Sequence, residues 1–359
     1  ANRQTYLNAT PGTTISMDDI NTMWVWIPRF KVNTTDFTLI RGKDSGYCYE
    51  SGEGPTTNTK EECEKLGPGI MWVSHYKNPG AIDVTFVKEN DKAIDSFTFG
   101  DKELSGFWFA KFATSHSTLS SSTIDNNLGC TNETCSNANG IIIKPNVTSL
   151  RYNNVSNFFF ASRSMEQTGN SFGFVSSEVD THMSKNNEWG AVAYLTQSIY
   201  GRCINSTTCT EIGINNNSSY ITGYGAPPGS DYNASNGAYN TSLGKDASTT
   251  KNIYGIYDMS GGAWEYVMGV YNKTISNAGF SSLPDTKYYN NYTGTSYTGH
   301  ALTETKNWYS DDASFVSSSY PWFIRGGYSS FNTSAGVFYF HRNDGYHVSS
   351  SSRLVISNE

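Results

Sequence analysis

Charged residues are scarce in this chain of 359 residues, and basic residues are fewer than acidic ones. Lys and Arg number 25 against 32 Asp and Glu, so charged residues make up 16% of the chain and the formal net charge is −7. Nucleic-acid binding depends on neutralising phosphates with a basic surface, and no basic cluster is present. We therefore expect no nucleic-acid partner, and a fold stabilised by aromatic packing and polar loops more than by salt bridges.

Long apolar runs are also absent. The longest, such as Phe158–Ala161, are far shorter than the roughly 18–20 residues that a membrane helix needs. We therefore expect no membrane segment in the chain as given. No signal peptide is visible and the first residue is Ala1, which favours a removed leader or an anchor that is not included.

The common catalytic and metal-binding strings are missing as well. The sequence contains no G-x-S-x-G, H-E-x-x-H, P-loop or EF-hand string, and no C-x2-C pair of the kind that binds zinc. The six histidines are scattered along the chain. His341 and His347 lie six residues apart with no carboxylate at metal spacing, so we expect surface contacts there and assign no metal ligand.

Six cysteines are present, in three pairs that are close in sequence: Cys48/Cys63, Cys130/Cys135 and Cys203/Cys209. Six cysteines allow fifteen connectivities, and we expect nearest-neighbour pairing because each pair flanks a loop rich in Gly, Asn or Thr. Disulfides indicate an oxidising, extracytoplasmic location. Thirteen N-x-S/T sequons fit that location, but the high Asn, Ser and Thr content also explains them, so glycosylation stays open.

The order of apolar and polar stretches predicts one domain over 22–359 after an irregular lead-in over 1–21. We expect buried strands at 24–28 and 107–112, and a helix over 184–197 capped by Ser184. Loop insertions are predicted at about 42–70, 115–140 and 201–250. The second of these is rich in Ser, Thr and Asn, and we expect no packed core there.

Three motifs follow one another in the last third of the chain. They are NIYGIYDMSGGAWEYVMG at 252–269, Arg325-Gly326-Gly327, and Arg353 before Leu354-Val355-Ile356. Together with the WVWIP strand and Glu188-Trp189, they resemble the formylglycine-generating-enzyme (sulfatase-modifying-factor) branch of the C-type lectin fold. The resemblance implies an α+β fold with small antiparallel sheets, few helices and much ordered coil. Ala113 departs from it, because an acidic residue is usual at that position.

The same resemblance bears on catalysis. The oxidising enzymes of that family hold copper with a cysteine pair near the C-terminus, whereas the last cysteine here is Cys209. A catalytic oxidase is therefore the disfavoured alternative, and we expect no enzyme activity and no required cofactor. Structural Ca²⁺ remains open, without assigned ligands.

Four residues of the motifs are predicted to be structural. We expect Trp264 in the core and Glu265 as an internal acceptor, tied to backbone amides or to Arg353, although a partly buried acid could also serve as a general base. Arg325 and Arg353 are expected to bridge loop carbonyls rather than to bind an anion.

The C-terminal stretch from Tyr328 to Ser352 mixes Tyr, Phe, His and Arg with small polar residues, as antibody loops do. We predict that it binds a ligand and that Val337 and Phe338 anchor it; an ordinary Ser-rich sheet is the alternative. The predicted recognition residues are Tyr328, Phe331, Asn332, Phe340, His341, Arg342, Asn343, Asp344, Tyr346 and His347.

Between Gly326 and Ser352 there is no Lys, Glu, Gln, Met or Trp. Randomising the adenines of an Asn codon reaches the residue types that are present. The segment thus resembles the variable region of diversity-generating-retroelement proteins, and the chain looks like pilin-associated or phage surface proteins of gut Firmicutes. The resemblance implies an extracellular ligand-binding protein, a minor pilin or pilus-tip adhesin, with a phage tail receptor-binding protein as the alternative. Expected partners are a host or bacterial cell-surface protein or glycan, and pilus or phage tail subunits.

Overall fold

The computed structural model describes residues 6–50, 54–56, 59–119, 128–132 and 134–358. Within these ranges, short helices and many short strands are joined by long stretches of coil. The helices are α1 (Lys60–Glu64), α2 (Val155–Ser164), α3 (Asn186–Thr196) and α4 (Ser242–Asp246). The strands are β1 (Trp24–Pro28), β2 (Phe30–Val32), β3 (Lys43–Glu50), β4 (Gly54–Thr56), β5 (Ile70–Lys77), β6 (Val84–Phe86), β7 (Thr98–Phe99), β8 (Lys102–Glu103), β9 (Gly106–Ala110), β10 (Ser115–His116), β11 (Cys130–Thr131), β12 (Thr134–Cys135), β13 (Ile141–Ile142), β14 (Val179–Met183), β15 (Trp264–Tyr271), β16 (Asn290–Tyr292), β17 (Trp322–Arg325), β18 (Phe340–Asn343), β19 (Ser350–Ser352) and β20 (Leu354–Asn358). The predicted mixture of few helices, small sheets and much coil is confirmed.

Strands from the two ends of the chain share one sheet. Its order is β1–β9–β20–β14, and each pairing is antiparallel. Phe109 of β9 lies opposite Val25 on one side and Val355 on the other. Side chains alternate between faces along a strand, so Phe107 and Phe109 are buried while Trp108 is 40% exposed.

Both strands predicted from the sequence are present. β1 has the predicted bounds, whereas β9 ends at Ala110 rather than at 112. Beyond that residue the backbone turns to a different partner, because the N–H of Tyr257 donates to the carbonyl of Lys111 at 2.8 Å.

A second sheet holds the motif residues. Its order is β16–β15–β17–β18, and β19 also pairs with β15. β17 runs antiparallel to β15 and β18, but β16 and β19 run parallel to β15, so this sheet is not purely antiparallel. The β15–β19 pairing brings Ser350–Ser352 beside Trp264–Tyr266. The C-terminal segment is therefore hydrogen-bonded directly to the main motif.

The helix predicted over 184–197 is α3, and its start differs from the prediction. Lys185, not Ser184, is the N-cap residue, and its backbone N–H donates to Glu188 Oε2 at 2.7 Å. Ser184 instead bonds to the first sheet, since its N–H donates to the carbonyl of Arg353 at 2.8 Å. Trp189 of α3 is fully buried.

Two clusters of buried side chains hold these elements together. One includes Phe112, which follows β9, Phe159 of α2, and Tyr266 and Trp322 of the second sheet. The other packs Phe107, Trp189 and Phe323, among others, around α3. Both sheets contribute to both clusters, so the apolar and aromatic area buried there stabilises the two sheets together.

The insertions are more ordered than the sequence suggests. The described residues between 43 and 77 contain a three-stranded sheet, β4–β3–β5, and α1, and residues 51–53 and 57–58 of this insertion lie outside the described residues. The expectation that 115–140 lacks a core is wrong in its described part. Leu128 and Ala138 are buried in the first cluster, because the Cys130–Cys135 hairpin lies against α2. Residues 120–127 and 133 of that insertion, and 1–5 of the lead-in, lie outside the described residues.

All six cysteines form the predicted nearest-neighbour disulfides. Cys48 pairs with Cys63, Cys130 with Cys135, and Cys203 with Cys209, with sequence separations of 15, 5 and 6. Each closes a short loop, so each mainly restricts that loop. Within the described ranges, no helix has the length and apolar character needed to cross a bilayer.

Candidate functional site

A buried ion pair lies under the C-terminal segment. Arg353 Nη2 donates to Glu265 Oε1 at 2.6 Å, and Arg353 Nε donates to Glu265 Oε2 at 2.8 Å. The same guanidinium donates to the carbonyls of Ala110 at 2.7 Å and Tyr257 at 2.8 Å. Burial raises the pKa of Glu265 to about 7, against the opposing effect of Arg353. Both side chains are fully buried, so Glu265 is placed as an internal acceptor and not as a base facing solvent.

Arg325, at the end of β17, is the second buried arginine of this framework. Its guanidinium donates to Asn186 Oδ1 at 3.1 Å and to the carbonyls of His300 and Ala301 at 3.4 and 3.2 Å. Burial lowers its pKa to about 10, so it stays charged at neutral pH. Arg325 and Arg353 thus flank the segment 326–352, which we call the C-terminal segment, and hold both of its ends.

The middle of the C-terminal segment is packed inside. Val337, Phe338 and Phe340 are all buried, and the N–H of Phe338 donates to Asp311 Oδ2 at 2.9 Å. An added Cβ at Gly336 would lie 2.1 Å from Asp311 Oδ1, so a larger residue at this position would force the buried Asp311 carboxylate to move.

Phe340 is therefore a correction to the predicted recognition residues. It begins β18 opposite Arg325 and points to the core, where its ring centroid lies 6.0 Å from that of Phe323. The alternation of the strand then turns His341 outward.

Four rings meet at the surface in what we call the aromatic cluster: Trp264, Tyr328, Phe331 and His347. The centroid of Trp264 lies 4.9 Å from Tyr328, 5.3 Å from Phe331 and 4.6 Å from His347. Each of the four residues is only partly buried. Trp264, which was expected in the core, is partly buried at the start of β15: it packs against the first cluster of buried side chains and supports the three rings of the C-terminal segment.

Residues outside the C-terminal segment extend the aromatic cluster. The ring of Tyr220 stacks on Tyr328, with centroids 6.0 Å apart at 24°, and the guanidinium of Arg151 lies 3.8 Å from the Tyr220 centroid. Asn332 Nδ2 donates to Asp231 Oδ1 at 3.2 Å. Sequence reasoning missed Tyr220, Arg151 and Asp231, because they lie in coil without periodicity and far in sequence from the C-terminal segment.

His347 sits in the aromatic cluster as an uncharged ring at neutral pH. Its Nδ1 accepts the N–H of Ser349 at 3.1 Å, which requires the proton to be on Nε2. Burial lowers the pKa of His347, although the carboxylate of Asp344 opposes this. Protonation would break the bond from Ser349 and place a charge against Trp264.

The exposed end of β18 is a second part of the predicted site. His341 is 38% exposed, with Nε2 3.7 Å from Asp312 Oδ2, and Arg342 lies over the ring of Tyr320 at 5.6 Å. The ring of Tyr339 joins the two parts, with its centroid 6.3 Å from His341 and 6.0 Å from Phe331.

The turn after β18 contains the other predicted residues, and most of its polar atoms are engaged internally. Asn343 Oδ1 accepts from the hydroxyl of Tyr266 and, at 3.1 Å, from the N–H of Gly345. Asp344 accepts from Asn277 Nδ2 at 2.8 Å and from the N–H of Tyr346 at 3.3 Å. These side chains shape the turn that carries His347 into the aromatic cluster.

This surface presents aromatic rings and a few hydroxyl and amide groups. Beneath it lie the Glu265–Arg353 ion pair and the Arg325 guanidinium, which is hydrogen-bonded to Asn186 and two carbonyls. In the described part of the chain, no group of three or more His, Cys, Asp or Glu side chains is arranged to hold a metal ion.

No protein-family model matches the chain, and no curated protein matches it. Among solved structures, three variants of a Major Tropism Determinant share a partial likeness. The U1 variant is 14% identical at a TM-score of 0.28 and the M1 variant 13% at 0.30, each alignment covering 88% of this chain and 72% of that one. The I1 variant is 14% identical at 0.30, over 98% of this chain and 90% of its own. A likeness at this level does not establish a shared function.

Proposed function

We propose that this chain is an exported, surface-displayed protein that binds a receptor through its C-terminal segment. The supporting observation is the contrast between the two ends of that segment, fixed by fully buried arginines, and the aromatic cluster, whose four residues are only partly buried. Clustered Trp, Tyr and His rings on a rigid support supply contact area at low entropy cost. The partner would be a protein or glycan on a cell surface.

We further propose a C-type-lectin-like fold of the formylglycine-generating type and a segment diversified by a retroelement. The resemblance of the motifs supports the first, since their Glu265 and Arg353 meet as a pair. The second is supported by the division of the segment into a buried island, 335–340, and flanking positions of which 328, 330–334, 341–344 and 346–349 are partly buried or exposed. Changes at the flanking positions leave the island in place.

Binding without catalysis is part of the proposal. Glu265 is occupied by Arg353, and the rings of the aromatic cluster have no nucleophilic partner. No cofactor is required on this account, and structural Ca²⁺ remains open. A net charge of −7 supports the absence of a nucleic-acid partner.

A phage tail and a pilus tip are the two settings for such a surface. Immunogold labelling of the producing cells and of their purified phage particles distinguishes them. Label at the end of virion tails supports the receptor-binding tail protein, and label along or at the tip of pili supports the adhesin. Label confined to the cytoplasm would contradict both.

The binding face is tested by replacing Tyr328, Phe331 and His347 together by Ala. Fluorescently labelled protein is applied to a panel of bacterial strains, and the bound fraction is measured on those that capture the wild type. We expect capture to fall by about tenfold or more, because truncating central aromatic residues removes most of an interface's binding energy.

The matched control is Tyr49→Ala, which removes a 38% exposed ring from the β3–β5 sheet and should leave capture unchanged. Both variants should still melt cooperatively. Undiminished capture by the triple variant would refute the proposed face, and global unfolding would show that the three rings are structural.

A further inference from the structure

A second surface concentrates exposed apolar side chains and shares no residue with the aromatic cluster. It is a groove of about 410 Å³ lined by Val25–Pro28 of β1, the C-terminal half of α3 and the loop 249–256. At its rim, Phe86 is 41% exposed, Tyr200 49% and Tyr254 76%. The centroids of Phe86 and Tyr200 are 4.6 Å apart. Single exposed apolar residues are ordinary, but a set gathered around one groove marks a binding surface.

The groove contains no charge. None of its sixteen lining residues is Asp, Glu, Lys, Arg or His, although the chain as a whole carries a formal charge of −7. A charged group entering the groove would lose its hydration without meeting a counter-ion. The complementary occupant is therefore uncharged.

The Thr and Asn side chains of the lining are already hydrogen-bonded within the protein. Thr196 Oγ1 donates to the carbonyl of Val192 at 2.8 Å, and Thr249 Oγ1 accepts the N–H of Ile256 at 3.0 Å. Asn252 Oδ1 accepts from the hydroxyl of Thr250 at 2.9 Å and from the N–H of Tyr254 at 2.8 Å. Few side-chain groups are left for the many hydroxyls of a sugar.

The backbone of β1, in contrast to these side chains, offers hydrogen-bonding groups to a partner. Among the described strands, β1 pairs with β9 alone and forms the edge of its sheet. The N–H of Arg29, just after β1, donates to the carbonyl of Ser105 at 2.9 Å. This bond shows which alternate residues of β1 are hydrogen-bonded to β9. In an antiparallel pair, the backbone N–H and carbonyl groups of alternate residues point to the neighbouring strand. Those of Val25 and Ile27 therefore point to β9, whereas those of Trp24 and Trp26 point away from it. Pro28, which has no N–H, limits the open edge on one side.

We propose that this groove, which we call the β1 groove, binds an extended, uncharged segment of a partner polypeptide by strand addition. The segment would pair with the outward N–H and carbonyl groups of Trp24 and Trp26. Its apolar side chains, at alternate positions, would pack between Leu195, Tyr200 and Tyr254. Main-chain bonds supply affinity in this mode of recognition, and the alternate side chains supply specificity.

The test is selection from a random linear peptide library on the wild-type protein. Selected peptides should carry apolar residues at alternate positions and no charge in the central segment. A synthetic peptide of the selected sequence should bind at least about tenfold more weakly to the Phe86→Ser/Tyr200→Ser variant. Leu39→Ser, which alters an 82% exposed apolar residue outside the groove, is the matched control and should bind as the wild type does.

Strand addition itself is tested with the same peptide methylated on the backbone nitrogens that face β1. The methylated peptide should lose binding, and the unmodified peptide should slow hydrogen exchange at the Trp26 amide. Equal binding of the methylated peptide would overturn strand addition, and selection of charged peptides would overturn the assigned chemistry. Self-association of the wild type that the Phe86→Ser/Tyr200→Ser variant abolishes would instead assign the groove to a second copy and overturn a foreign partner. Each of these results leaves the proposed receptor face untouched.

Discussion

Arg353 connects more distant parts of the chain than any other residue of the motifs. Its guanidinium bonds to Glu265 of β15, to the end of β9 and to the loop that holds Tyr257, over sequence separations of 88, 243 and 96 residues. Since all of these partners are buried, the contribution of Arg353 depends on every one of its donors being used.

Replacing Arg353 by Met should lower the free energy of unfolding by about 3–5 kcal/mol, because the Glu265 carboxylate and two carbonyls lose their buried donor. Urea denaturation at pH 7 measures the change. The double variant Arg353→Met/Glu265→Met should be less destabilised than Arg353→Met alone, since no buried charge is left behind. Arg342→Met, at an exposed arginine, is the control and should change stability by less than about 0.5 kcal/mol. Equal effects at Arg353 and Arg342 would contradict the structural role.

At this scale, part of the site could be predicted from the sequence. The pairing of Glu265 with Arg353 follows from the motifs, because a buried acid needs a donor and the arginine opens an apolar strand. The burial of Phe340 could not be predicted. Apolar and polar residues alternate over only two positions after the preceding apolar residues, which is too short to show which side chains of the strand point to the core. The partial exposure of Trp264 could not be predicted either, because it depends on which strands cover β15.

At the scale of elements, β14 contains a buried group of charges that no motif indicates. His182 lies between two carboxylates, with Nδ1 2.9 Å from Asp180 Oδ1 and Nε2 3.0 Å from Glu188 Oε1. Arg163 of α2 pairs with Asp180 at 2.9 Å. Burial alone would lower the pKa of His182, but Glu188 and Asp180 outweigh it and raise the pKa above 6.5. The imidazolium form thus ties β14 to α3.

A raised histidine pKa stabilises the fold below the unfolded-state pKa, near 6.5, and this stabilisation is lost as pH rises through the folded-state value. We therefore expect the difference in free energy of unfolding between wild type and His182→Gln to be largest at pH 5.5–6 and to shrink towards pH 9. Urea denaturation across this range measures it, and His116→Gln, at a histidine of the β10–β13 pair, serves as control. A difference that grows with pH would show that His182 is neutral in the folded protein.

Elements differ in how far the sequence determines them. β1 and α3 are recognisable because Pro28 ends one and an apolar face with Trp189 marks the other. α2 was missed: it contains Phe158–Phe160 side by side, a run without helical periodicity, and it is buried on nearly all sides. The hairpin at Cys130 and Cys135 was expected to be loose, because its composition is polar and only its contact with α2 buries it.

At the scale of the whole molecule, the last strand completes the first sheet. β20 lies between β9 and β14 and bonds to both, so it is an interior strand although it is nearly the last element of the chain. Leu354, Val355 and Ile356 are all buried.

Deleting residues 354–359 should prevent stable folding, because β9 and β14 lose their common partner and both buried clusters lose apolar side chains. Loss of the near-ultraviolet circular dichroism signal and of cooperative melting measures this. Deleting residues 1–12, of which 7–12 are exposed, is the matched control and should leave both signals in place. A cooperative transition in the first variant would show that the sheet does not need its last strand.

The two buried arginines also limit which sequence changes the segment between them can tolerate. Arg325 and Arg353 fix the span that the 27 residues from Gly326 to Ser352 must bridge, and the buried island at 335–340 divides that span into two short arcs. Exchanging the exposed side chains of either arc, such as those of Thr333 and Arg342, leaves the buried contacts intact, whereas adding or removing a single residue would shift β19 out of register with β15 and turn its hydroxyls to the wrong face. Variants of this protein that retain function should therefore differ here by substitution at constant length.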